Sequence, residues 1–109
     1  MITAMIIPVQ GAVSALHSTH EAGPELDELQ ELVGGYIEAI QLPDGTAFVG
    51  EEAKLKRLRH NRAATQLLKE LIPPFHDWIA GPMVVVGPPD ADGESLPIPQ
   101  TLIDRIEAL

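Results

Sequence analysis

The sequence predicts an α+β domain, a small and mostly antiparallel sheet with helices packed against it. Three observations carry this reading. Apolar residues recur at helical spacing in three separate stretches, each bounded by Gly or Pro. Short β-forming segments come in pairs joined by turn signals rather than by helical crossovers, which favours antiparallel pairing. A chain of 109 residues makes one domain, spanning 1–109, that buries roughly two-thirds of its unfolded surface.

Taken in order, Ile2 to Val9 and Val13 to His17 form an N-terminal hairpin turning near Gln10-Gly11. Ser18 to Gly23 is a polar connector. In the first helix, Leu26, Leu29, Leu32 and Val33 make an apolar stripe between Glu25, Asp27, Glu28 and Glu31. Pro24 suits its first position and the early acids suit its dipole. Gly34-Gly35 supplies a left-handed cap, so one of the two should have positive φ. Tyr36 to Ile40 follows as a strand with Tyr36, Glu38 and Ile40 on one face and Ile37 and Ala39 on the other. A charge between two large residues is unusual there. Glu38 either reaches water across a sheet edge or has a partner.

Pro43-Asp44-Gly45 is a turn, Thr46 to Val49 returns as a strand, and Glu51 to Lys54 turns again. Asn61 caps a second helix whose apolar face is Ala64, Leu67, Leu68, Leu71 and Ile72, ended by Pro73-Pro74. Phe75 and Trp78 are expected in the core, with Asp77 capping a turn between them. Met83 to Val86 suits a buried strand. After the loop at Pro88 to Gly93, Glu94 to Leu96 pairs back, and Pro99 opens a helix that turns Leu102, Ile103, Ile106 and Leu109 inward. The order is β-β-α-β-β-α-β-(β)-α. Leu26, Leu29, Leu32, Ile37, Leu67, Leu68, Leu71, Trp78, Val84 and Val86 are expected to line one core.

The run from Leu29 through Gly34-Gly35-Tyr36 to Glu38 resembles the signature of a family of small proteins, domain of unknown function 3846. Asn61 to Thr65 and Asp77 to Gly81, leading into Met83 to Val86, agree with it. The resemblance covers roughly Ile2 to Gly87 and leaves the tail aside. It implies a phage or mobile-element origin and hence the cytoplasm of a bacterial host. No established activity comes with it.

Net charge is −9, which argues against broad nucleic-acid binding. Its distribution is more informative. Residues 21–52 carry Glu21, Glu25, Asp27, Glu28, Glu31, Glu38, Asp44, Glu51 and Glu52 without a Lys or Arg, whereas 54–62 carry Lys54, Lys56, Arg57, Arg59 and Arg62 without an acid. Cysteine is absent, which excludes disulfides. The apolar N-terminus is too short to span a bilayer and lacks a basic flank, so no membrane association is expected.

Catalytic and metal-binding patterns are weak. His17 and His20 are three apart, but no third zinc ligand is apparent. Asp90-Ala-Asp-Gly-Glu94 lacks the spacing of a calcium loop. His76-Asp77 has no nucleophile beside it, and no phosphate-binding glycine motif occurs. The sequence therefore predicts no enzyme, no catalytic residue, no metal and no cofactor. It predicts a binding protein, expected as a homo-oligomer, that engages a host protein through an acidic face at Glu25, Asp27, Glu28, Glu31 and Glu38. The alternative is a sponge for a phosphorylated small molecule or nucleotide. Its anion site would combine Lys54, Arg57, Arg59 and Arg62 with the helix N-terminus capped by Asn61.

Overall fold

A computed structural model describes residues 2–17 and 24–109. The expected Ser18 to Gly23 connector and the side chains of His17 and His20 lie outside the described residues. The elements are β1 (Ile2–Ile7), β2 (Ser14–His17), α1 (Leu26–Val33), β3 (Ile37–Leu42), β4 (Gly45–Gly50), α2 (Arg62–Leu71), β5 (Met83–Val86) and α3 (Gln100–Glu107). The expected order holds. Glu94 to Leu96 pairs back only as an isolated bridge between Pro89 and Ser95.

The strands form one five-stranded sheet in the order β2-β1-β5-β4-β3, with every neighbouring pair antiparallel. β5 sits at the centre and is covered on both sides, which is why it reads as an unbroken apolar run. Successive side chains take opposite faces. Met5, Ile7, Ala47, Val49, Met83 and Val85 therefore meet Leu67, Leu68, Leu102, Ile103 and Ile106 of α2 and α3. Ala4, Val84 and Val86 pack with Leu29 and Val33 of α1.

The single core expected from periodicity is thus two cores, one on each side of the sheet. Three residues expected to face inward are instead open to solvent. Leu26 is 55% exposed and Leu109 is 42% exposed, because each lies at a helix terminus past the edge of the sheet's cover. Trp78 is also 42% exposed, standing against Lys54 and His60 rather than inside. Pro24 precedes Glu25, which is the N-cap of α1, so the first helical residue is Leu26.

Gly34 closes α1 at φ 83°, and its N–H and that of Gly35 both donate to Gln30 O at 2.9 Å. The left-handed cap is what lets the chain reverse into β3. Gly87 has a different reason for being glycine. A Cβ there would lie 2.1 Å from Leu96 O, since the tail passes directly over the end of β5. Leu96 N–H donates to Pro88 O at 2.8 Å and Ile98 N–H to Ile2 O at 3.0 Å. These bonds fasten the tail to the sheet and bring α3 onto its face.

Candidate functional site

The two charged segments meet different fates. On α1, Leu29 and Val33 are buried and Leu32 packs beside them, which turns the acidic positions outward. Glu25, Asp27, Glu28 and Glu31 are all exposed, and among the described residues none of their carboxylates has a hydrogen-bond or ion-pair partner. Leu26 lies among them, and one turn on, Gln30 shares a shallow surface groove with Tyr36, itself 67% exposed. Among the described residues, four unpaired carboxylates on one helix, with exposed Leu26 between two of them in sequence and the Tyr36 groove at the helix's far end, make a partner-like surface.

Glu38 does not join that surface. It shares its face of β3 with Ile40 and Leu42, which pack on the α2 and α3 side, whereas its neighbour Ile37 packs with α1. Glu38 instead lines a cleft of about 110 Å3 with Glu51, Lys54, Phe75, Asp77 and Trp78. Within the cleft Lys54 donates to the Asp77 carboxylate and sits 4.6 Å from the centre of the Trp78 ring. Asp77 also accepts the Trp78 N–H at 2.8 Å, the turn cap expected of it. The Lys54 hydrogen bond, then the Trp78 N–H, hold the Asp77 carboxyl below its ordinary value. His60 also meets Trp78, edge-on with ring centres 5.4 Å apart, and its Nε2 is 3.3 Å from Thr65 Oγ1.

The expected anion-site residues are dispersed. Lys54 is committed to Asp77 and Trp78. Lys56, not among those residues, donates to Gly34 O at 3.1 Å, supplying a cation to the C-terminus of α1, whose last turn has none of its own. Asn61 is fully buried. Its Oδ1 accepts the Ala64 N–H at 3.0 Å, and its Nδ2 donates to Ile7 O and Gly81 O, both at 2.9 Å. Arg57, at φ 58°, and Arg59 are exposed on the intervening turn. Arg62 lies away from Lys54, in an open groove of about 450 Å3 between α2 and α3 that also holds Glu70 and Arg105. Those two pair at 3.4 Å, so this groove already holds a carboxylate beside its two arginines.

Sequence reasoning missed the Lys54–Asp77–Trp78–His60 cluster. Its members come from two segments with no shared periodicity, brought together by the Arg59–Gly81 and Asn61–Ile79 backbone hydrogen bonds at 2.8 and 2.7 Å. The clue available was local: His76-Asp77-Trp78 is a polar and aromatic patch between two apolar elements. Among the described residues no group of three or more His, Asp or Glu converges as metal ligands. No described helix is long and apolar enough to cross a membrane.

No curated protein and no solved structure matches the chain. A family sequence profile does match, described as domain of unknown function (DUF3846), over residues 2–109. The match includes the tail after Gly87, which the sequence resemblance had set aside and which the structure fastens to the sheet. The chain belongs to the DUF3846 family.

Proposed function

We propose that the protein is a non-catalytic binding protein that engages a basic polypeptide through the outward face of α1. The observation that carries this is the set of four unpaired, exposed carboxylates, Glu25, Asp27, Glu28 and Glu31, with exposed Leu26 at the start of the same helix. Such a surface supplies long-range attraction, which raises association rates, and an apolar anchor that can be desolvated on contact. A host protein is the partner in this reading, as the phage or mobile-element setting implied by the sequence resemblance suggests. The alternative, a sponge for a phosphorylated molecule, has weaker support. The cleft holding Lys54 is far below the roughly 300–1,000 Å3 of typical small-molecule sites, the larger open groove holding Arg62 also carries the Glu70 carboxylate, and the helix N-terminus is capped by its own Asn61.

The test is capture from bacterial lysate with three forms of the chain: wild type, Glu25→Gln/Asp27→Asn/Glu28→Gln/Glu31→Gln, and Arg57→Gln/Arg59→Gln/Arg62→Gln. Support consists of a basic protein retained by the wild type and the arginine variant and lost with the acid variant, with retention falling as salt is raised. Retention that survives the acid variant but not the arginine variant would sink the proposal. Calorimetry against mono-, di- and cyclic nucleotides covers the alternative, which requires saturable heat that the arginine variant abolishes.

A further inference from the structure

We propose that the outer edge of β3 is a second docking site, one that takes an extended basic segment of a partner as an additional strand and sets one Lys or Arg of that segment beside Glu38. β3 ends the sheet and pairs only with β4. The Glu51 N–H donates to Tyr36 O at 2.8 Å, which fixes the phase of the β3–β4 ladder. In the observed register Glu38, Ile40 and Leu42 are then the residues that exchange hydrogen bonds with β4. The N–H and C=O groups of Ile37, Ala39 and Gln41 point away from the sheet, and among the described residues nothing bonds to them. Ala39 and Gln41 are exposed. β3 holds no Pro, Lys or bulge and its six residue pairs run in continuous register, so the single charge of Glu38 is what guards this edge, and it guards against a like charge rather than a cation. Such an edge binds extended peptides through main-chain hydrogen bonds, while pockets for alternate side chains provide selectivity.

Charge decides the occupant. Glu38 faces the cleft beside this edge, and neither it nor Glu51 has a partner among the described residues, whereas the one cation of the cleft, Lys54, is already balanced by Asp77. A second copy of β3 would bring its own Glu38 within reach on the same face, from a chain of net charge −9. A basic segment brings the opposite charge. The cleft of about 110 Å3 admits the end of one long side chain, and Phe75 and Trp78 offer walls for its aliphatic stem and cationic head. This site shares a basic polypeptide partner with the proposed function. Glu38 and α1 lie on opposite sides of the sheet, so either surface can fail without the other.

The probe is a short peptide of alternating Thr and Lys, titrated into the isotope-labelled full chain and followed by amide shifts and hydrogen exchange. The amides of Ile37, Ala39 and Gln41 are expected to shift and gain protection at saturation. Glu38→Gln should weaken affinity roughly twofold to fivefold, the range of an exposed ion pair. Ala39→Pro should abolish binding, since it removes an outward N–H that the ladder does not use. A peptide N-methylated at alternate positions should fail against the wild type, which makes the same test where Ala39→Pro disturbs the strand. The four-acid α1 variant should keep the shifts and protection at Ile37, Ala39 and Gln41, and an alternating Thr and Glu peptide should not produce them. Absence of Thr-Lys binding, unchanged amides at the three positions, or equal binding of the N-methylated peptide each overturns the site. Protection of those amides without peptide, together with a doubled sedimenting mass, would assign the edge to a second copy and likewise overturn it.

Discussion

The acidic and basic segments look equivalent in the sequence, two runs of like charge on one small domain, yet the structure uses them differently. The acids of α1 project to solvent without partners. In the basic segment Lys54 and Lys56 are engaged within the fold, and the Asn61 between the arginines is wholly buried. Arg57, Arg59 and Arg62 remain exposed without ion-pair partners among the described residues, but they are spread over a turn and a helix end rather than gathered on one helix. The 54–61 segment is instead the strap that fastens the residues before β5 to the body of the protein, through Arg59, His60 and Asn61, with Thr65 of α2 accepting the Ile79 N–H beside them.

If that contrast is right, the largest effect of any substitution near the basic segment falls on stability and comes from an uncharged residue. Asn61→Ala removes the cap of α2 and leaves Ile7 O and Gly81 O without their donor. It should cost about 3 kcal/mol, read from urea denaturation. Leu68→Ala, in the α2 core, should cost roughly 2–5 kcal/mol and provides the scale for comparison. An Asn61→Ala cost below about 1 kcal/mol would mean that the strap is not structural. At the end of α1, Gly34→Ala should cost about 1 kcal/mol or more, because the residue must hold a left-handed conformation.

Smaller effects sharpen the contrast. Lys54→Met should cost under about 1 kcal/mol, since its ion pair is solvent-exposed. Neutralising all four α1 acids should change stability by no more than about 1 kcal/mol, the lost helix-dipole benefit of Asp27 and Glu28 being offset by reduced self-repulsion. The smallest effect is a pH response. Asp77 has its carboxyl lowered by Lys54 and the Trp78 N–H, so its contribution is present above the unfolded carboxylate value and is lost as pH falls through the lower folded one. Trp78 is the sole tryptophan, and its fluorescence should change on acidification before far-UV circular dichroism does. Glu38 and Glu51 line the same cleft, so Asp77→Asn is the control that should remove the response.

Local signals carried most of the fold. Gly34-Gly35, Pro43-Asp44-Gly45 and Asn61 each specify a backbone event within a few residues, and element order followed from them. The β1–β5 pairing did not follow, since it joins strands from opposite ends of the chain. Nor did the division into two cores, because Met83-Val-Val-Val86 is apolar throughout and lacks the alternation that would separate its faces. At the surface the four α1 acids were legible as an exposed stripe. Glu38 was grouped with them by charge and is separated by the pleat of β3, which sends it to the other face. The Lys54–Asp77 pair spans 23 residues, and no periodicity encodes it.

The most direct measurement titrates the isotope-labelled chain with two probes, a short lysine-rich peptide and inorganic pyrophosphate, and maps the shifted amides. The expected result is saturable shifts at residues 25–31 and Tyr36 with the peptide, absent in the four-acid variant, and no saturable shift at residues 57–64 with pyrophosphate. Saturable pyrophosphate shifts at 57–64, with α1 unmoved by the peptide, would contradict the assignment of binding to the acidic face.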